Sequence, residues 1–149
     1  MTPSIDLGTH IINPDALSSK MRKNENYILW HLSDSTPAGE FPIAENPDPN
    51  DMNLIITTDY NGINAGSFLI RRCNWTEMFL DLWVEPMYVD RDWIAQEQDA
   101  LVHMLAHHRF VSDHVALVHQ SVMNSYATER YVDELWQEGD LVVHFAGCG

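Results

Sequence analysis

Basic residues are scarce in this chain. Eight Lys and Arg face twenty-two Asp and Glu over 149 residues, a formal charge of −14. A nucleic-acid partner needs cations clustered along its phosphates, so that class is excluded. The cations that exist form two small groups, Lys20, Arg22 and Lys23, and Arg71 with Arg72. A chain this acidic needs a metal or a few placed cations to hold an anionic substrate. Cysteine is equally sparse. Cys73 and Cys148 are too few for a disulfide scaffold, and whether the two pair is left open by the sequence. No apolar run approaches the ~20 residues that span a bilayer. No basic-then-apolar leader opens the chain. The expectation is a soluble chain, or a piece of something anchored elsewhere. Absent too are a C-x-x-C pair, a G-x-S-x-G elbow and a Gly-rich phosphate loop.

What is present suffices for a core. Hydrophobic residues make up 45% of the chain, and a chain of this length buries most of its surface. Ser4 to Ile12 reads as a short strand entering a turn. Asn13 is an N-cap candidate before Pro14, opening a helix through Leu17 and Met21. Tyr27 to Leu32 is too short to assign between helix and strand. Asp34 to Asn53 carries Pro37, Pro42, Pro47 and Pro49 and reads as a long irregular loop. Leu54 to Thr58 and Ala65 to Ile70 read as strands around the turn dipeptide Asn61-Gly62. Asn74 with Glu77 suggests a capping box for a helix with Met78, Phe79, Leu82 and Trp83 on one face, ending before Pro86. A longer helix is expected from about Trp93 to His107, with Ile94, Leu101 and Leu105 as its buried stripe. Val115 to Val118 and Leu141 to Phe145 read as strands, with a short helix near Val132 to Trp136. Strands alternating with helices make the class α/β.

Several constellations carry candidate chemistry. Asn61, Gly62, Asn64, Gly66 and Ser67 are small or amide residues that let a backbone approach a ligand closely. His144 is a polar ring inside an apolar strand, aimed at a rim. Glu97 and Gln98 sit next to Gln96 on the long helix, where adjacent side chains point about 100° apart, so only part of the run can face a cleft. His103 and His107 have a metal-binding spacing, but Met104 stands where a zinc hydrolase needs its glutamate. Histidines at a helix C-terminus are the plainer account. Asn74-Trp75-Thr76 fits the glycosylation pattern.

In series, NGINAGSFLIR with CNW after it, FLDLW at Phe79 to Trp83, EQ-x-AL at Glu97 to Leu101, NSY at Asn124 to Tyr126 and the GDLVVHFAGC ending resemble one family. It holds fungal α-1,2-galactosyltransferases and the α-1,6-mannosyltransferase subunits of mannan synthesis, with plant xyloglucan xylosyltransferases as relatives. IDLGTHIINP, Ile5 to Pro14, resembles its metal-binding segment. The resemblance implies the C-terminal portion of a GT-A-type, Rossmann-like domain that transfers galactose or mannose from a nucleotide sugar to a glycan acceptor with retention. It implies Mn2+ held by Asp6 and His144, Glu97 and Gln98 by the sugar as catalytic residues, and Asn61, Gly62, Asn64, Ala65, Gly66 and Ser67 lining the substrate cleft. It also implies a Golgi-lumenal domain on an N-terminal anchor, and homo- or hetero-oligomers with related transferases.

Two departures shape the expectation. The family's metal motif is Asp-x-Asp, and here it reads Asp6-Leu7-Gly8. Hard divalent ions take several oxygen or imidazole ligands, so Gly8 weakens the metal site. The chain also begins almost at this motif, so residues 1–149 are expected to be a partial catalytic domain, with the base-binding half outside it. The rival expectation is a non-catalytic glycan-binding or complex-forming relative that keeps the fold.

Overall fold

The computed structural model describes residues 6–31, 36–127 and 135–145. Its elements follow from period-2 and helical patterning. Asn13 caps α1 (Pro14–Lys20) as its sequence suggests: its Oδ1 accepts the Ala16 N–H at 2.7 Å, with Pro14 in the first turn. The strands β1 (Glu25–Trp30) and β2 (Pro37–Ile43) form an antiparallel pair. Next come β3 (Leu54–Asp59) and β4 (Gly62–Ile70), also antiparallel, joined by the Tyr60-Asn61 turn. Gly62 closes that turn at φ +119°, a conformation that suits glycine. The helices α2 (Asn74–Trp83), α3 (Pro86–Val89), α4 (Gln96–His107) and α5 (Arg109–Ser112) follow. Then β5 (Val115–Val118) returns to pair in parallel with β3, giving the order β4-β3-β5. A short α6 (Gln120–Met123) leads into β6 (Ser125–Tyr126), which pairs in parallel with β7 (Val143–His144).

Successive residues of β3 and β5 face opposite layers. Leu54, Ile56, Val115 and Leu117 join Phe79, Tyr88, Leu101, Met104 and Leu105 on one side. Ile55, Ala116 and Val118 join Ile11, Leu17, Met21, Val122 and Met123 on the other. A three-stranded sheet thus lies between two helical layers, the mixed α/β class expected from the sequence. The β1-β2 hairpin lies over α4. A Cβ built on Gly39 of β2 would fall 2.9 Å from the Ala106 Cβ, so glycine is what lets the two approach.

Several expectations are corrected. Part of the Asp34 to Asn53 segment is strand β2. Its prolines are tolerated because Pro37 begins the strand and β2 pairs with β1 alone. Gly8–Ile12 is a π-helical turn rather than the end of a strand; Ser4 and Ile5 lie outside the described residues. Tyr27 falls in a strand, β1. Cys73, not Asn74, holds the N-cap position of α2, with no side-chain cap bond. Thr76 instead folds back, its hydroxyl donating to the Arg71 carbonyl. The buried residues of α2 are Trp75, Thr76 and Phe79, while Met78 is 58% exposed. Ile94 is 74% exposed because α4 starts only at Gln96; Leu101 and Leu105 are buried as expected. Of the expected helix near Val132 to Trp136, residues 132–134 lie outside the described residues, and Leu135 makes a bridge to Tyr126. The last strand is shorter than Leu141 to Phe145, and Phe145 is exposed. Cys73 is a free thiol, and Cys148 lies outside the described residues.

This packing sets an expected pair of outcomes. Leu101→Ala empties a fully buried position and should cost about 2–5 kcal/mol, while Ile94→Ala should stay within about 0.5 kcal/mol. Urea unfolding of both variants is the measurement, and equal effects would contradict the late start of α4.

Candidate functional site

The site begins with an irregularity in the sheet. Thr57 pairs with Asn64 and Ile55 with Leu69. One residue of β3, Ile56, therefore stands opposite Ala65, Gly66, Ser67 and Phe68. Such bulges re-aim side chains and interrupt the ladder. The amides they release need other partners. Gln98 of α4 supplies one: its Oε1 accepts the Ala65 N–H at 2.9 Å. Asn64 supplies another through its Oδ1, which accepts the Gly66 N–H at 2.9 Å. The Asn64 amide is buried, and its Nδ2 donates to Asp59 Oδ2 at 2.8 Å. Asp59 Oδ1 in turn accepts the Asn61 N–H at 2.7 Å. Asn61, Gly62, Asn64, Ala65, Gly66 and Gln98 thus belong to one connected turn-and-bulge unit, and Ser67 lies in the bulge.

Two clefts open beside this unit. The first, about 460 Å³, is lined by Ala65, Phe68, Trp83, Tyr88, Trp93 and Glu97, among others. Glu97 is exposed, and its backbone carbonyl accepts the Trp83 Nε1–H at 3.2 Å. The second, about 430 Å³, is lined by Tyr27, Trp30, His31, Asp59, Tyr60, Asn61 and Gly62. His31 and Trp93 stack with centroids 5.7 Å apart, so one ring pair stands between the clefts. His103 stacks behind them, 5.7 Å from Trp93 and 4.3 Å from His107. Burial, then the nearby His107 and Arg91 charges, lower His103 to a pKa of about 4.

His144 lies 5.5 Å, centroid to centroid, from the Tyr126 ring. Its Nδ1 is buried and has no hydrogen-bond partner among the described residues. Burial raises the Tyr126 phenol; hydrogen bonding with the Gln120 side chain opposes that, and the charge of Asp59 adds to it. The neighbour of His144 is thus electrostatically close to the end of β3. Asp6 stands exposed before the π-helical turn, its carbonyl accepting the His10 N–H at 2.9 Å. Among the described residues, no three or more His, Cys, Asp or Glu side chains are grouped to hold a metal ion.

Sequence reasoning missed Asp59, Tyr27, His31 and Asp99. Asp59 could have been found as an acidic residue closing a strand just before Asn61-Gly62. Asp99 is fully buried, with its Oδ2 3.3 Å from the Ala95 N–H it accepts; nothing in its pattern distinguishes it from a solvated helical acid.

Fold and cleft define a class: a mixed α/β domain whose polar cleft lies at the carboxyl end of β3, one of its two parallel strands, the end at which α/β sheets hold their ligands. The chain belongs to the galactosyl transferase GMA12/MNN10 family, whose model matches residues 1–149. It is 39% identical over 150 residues to an uncharacterized α-1,2-galactosyltransferase of Schizosaccharomyces pombe, covering 99% of this chain and 38% of the relative. An α-1,2-galactosyltransferase of the same yeast is 34% identical with the same coverage. A probable α-1,6-mannosyltransferase of Saccharomyces cerevisiae is 27% identical, again over 99% of this chain and 38% of the relative. The chain therefore spans well under half the length of these relatives. No solved structure matches it. Among the described residues, no helix is long and apolar enough to cross a membrane.

The histidine stack gives a pH prediction. The folded pKa of His103, about 4, lies below the ordinary value near 6.5. Between those values the unfolded chain binds more protons, so stability falls as pH drops through that window and levels off below it. Urea midpoints measured across it should show this loss, and His103→Gln should flatten the slope by up to about one proton. An unchanged slope would remove His103 as its source.

Proposed function

We propose that this chain carries part of the active site of a retaining hexosyltransferase, which moves galactose or mannose from a nucleotide sugar to a glycan acceptor. One observation carries the reading: the Gln98–Ala65 hydrogen bond ties two of the family-like segments, EQ-x-AL and NGINAGS, to each other beside the first cleft, which Ala65 and Glu97 line. In this reading Asn61, Gly62, Asn64, Ala65, Gly66 and Ser67 line the substrate cleft, and their small-residue backbone lets a sugar ring come close. The bond from the anomeric carbon to the diphosphate breaks, and its electrons leave with the diphosphate. An acceptor hydroxyl then forms the new bond on the same face and gives its proton to the departing diphosphate oxygen. Positive charge grows on the ring as this happens. Glu97 offers a carboxylate at the cleft wall to stabilise it. Gln98 works beside it, fixing the β4 backbone through Oε1.

The donor types offered by Asp6 and His144, an exposed carboxylate and an imidazole nitrogen without a partner among the described residues, suit a divalent ion such as Mn2+. These two residues would hold the ion, with donor oxygens and water completing its ligands. When bound, the ion supplies charge that offsets the departing diphosphate. Gly8 favours a second reading, a non-catalytic glycan-binding or complex-forming relative, because it leaves this ligand set one carboxylate short. The resemblance supports a Golgi-lumenal setting. The exposed Val84, Met87, Val89 and Ile94 support association with related transferases.

Three measurements test this. Glu97→Gln in the intact protein should lower kcat by about 10²–10³-fold while the KM for the nucleotide sugar stays within about twofold. A variant that changes KM alone would make Glu97 a binding residue. Gly8→Asp should tighten Mn2+ at least about tenfold by calorimetry; equal affinity would remove position 8 from the ligand set. No binding of UDP-galactose or GDP-mannose by the intact protein, with or without Mn2+, would favour the non-catalytic relative.

A further inference from the structure

The second cleft is walled by rings that the proposed chemistry does not use. Trp30, at the end of β1, is 42% exposed, and Tyr60, in the turn, is 67% exposed. A lone exposed ring is ordinary. Here both line the same cleft of about 430 Å³, together with the polar groups of Asp59, Asn61, His31 and Tyr27. That volume is in the range of small-ligand sites, roughly 300–1,000 Å³.

The polar groups are poised for hydroxyls. Each Asp59 oxygen accepts one hydrogen bond, from the Asn61 N–H or the Asn64 amide, and retains a lone pair for another donor. Burial raises the Tyr27 phenol; Arg22 opposes this and the charge of Asp59 adds to it, so the O–H stays a donor. Gly62 leaves room in the wall, since a Cβ there would meet only the Tyr27 hydroxyl, at 3.8 Å.

Among the described residues the lining has no Lys or Arg, and it has a carboxylate; Arg22 lies over the Tyr27 ring, 5.0 Å from its centroid, and pairs with Glu25. A phosphate or diphosphate is repelled by that composition. A purely apolar ligand would cover the Asp59 carboxylate without satisfying its remaining lone pairs. What fits is a neutral ring with an apolar face and a hydroxylated edge. We propose that this cleft is a hexopyranose subsite, with Trp30 and Tyr60 against the C–H face of the sugar and Asp59 and Asn61 bonding its hydroxyls. The inference deepens the transferase reading and rests on it. The ring can come from the acceptor glycan or from the sugar still attached to its nucleotide.

Nuclear magnetic resonance titration of the intact protein tests this, following indole and ring signals assigned by Trp30→Ala and Tyr60→Ala. Methyl α-mannopyranoside and methyl α-galactopyranoside are the free probes, and GDP-mannose and UDP-galactose the nucleotide-linked ones. Saturable shifts of Trp30 and Tyr60 are expected with one set. Shifts with the free pyranosides assign the cleft to the acceptor, and shifts with the nucleotide sugars alone assign it to the donor. Each alanine variant should weaken that binding about tenfold, while Trp136→Ala, which removes another exposed indole, should leave it unchanged. Both platform residues are exposed, so neither variant threatens the fold. Nucleotide-sugar shifts confined to the Asn64 and Ala65 amides would overturn the subsite and leave the transferase reading standing. No shift with any of the four probes would overturn both.

Discussion

Where Ile56 of β3 stands opposite four residues of β4, the ladder cannot pair the amides of Ala65 and Gly66, and side chains must. Ala65 is half-buried and Gly66 exposed, and Gln98 Oε1 and Asn64 Oδ1 take their N–H groups in place of a partner strand, each such bond worth about 0.5–1.5 kcal/mol. Asn64 cannot serve alone. Its own buried Nδ2 needs an acceptor, and Asp59 provides it. Asp59 then holds the turn through the Asn61 N–H. From one irregularity, helix α4, the bulge and the hairpin turn become a single hydrogen-bonded unit. The polar residues are there because the backbone requires them, and that same requirement keeps them rigid and preorganised beside two clefts.

The rest of the fold sets the direction in which this unit faces. β3 and β5 are parallel, and all four residues of β5 are buried. Their shared carboxyl ends deliver Asp59 from one strand and the α6–β6 segment from the other. Tyr126 and His144 are placed there by the parallel β6-β7 pair. No single motif spans this assembly. It is made by topology, from segments more than 80 residues apart in the chain.

That is also why the sequence disclosed some of it and not the rest. Asn13-Pro14, Asn61-Gly62 and the apolar runs of β3 and β5 carry their structure locally, in caps, turns and alternation, and were legible. Glu97 and Gln98 were legible as a motif, but the partner of Gln98 was not, since a three-residue excess in one strand leaves no mark in composition. β2 was hidden by its prolines, whose penalty depends on whether a strand is at an edge. Ile94 was misassigned because helical spacing was extended across a point where the backbone leaves the helix. Met78 had the right period on a helix whose inner face is set by Trp75 and Phe79. The clefts were invisible for a similar reason: Trp30, His31 and Tyr60 meet only through the packing of one hairpin against another.

The point where the backbone departs from the helix explains how Glu97 reaches its wall. Gln96 has φ +45°, a conformation that costs a residue with a side chain about 1–3 kcal/mol. A continuous helix from Trp93 would avoid that cost, and would also turn Ile94 inward. The observed turn is held by several bonds. The Trp93 Nε1–H donates to the Tyr88 carbonyl at 2.9 Å, and the Ala95 N–H to the buried Asp99 at 3.3 Å. A carboxylate in the first helical turn is further favoured by the N-terminal dipole. Asp99 therefore has a physical role that explains its burial: it helps hold the strained entry of α4, so that Glu97 lines the first cleft while Gln98, one residue on, turns to the bulge. Adjacent residues with different duties require a helix whose starting point is fixed to within one residue, and the strain at Gln96 is what fixing it costs.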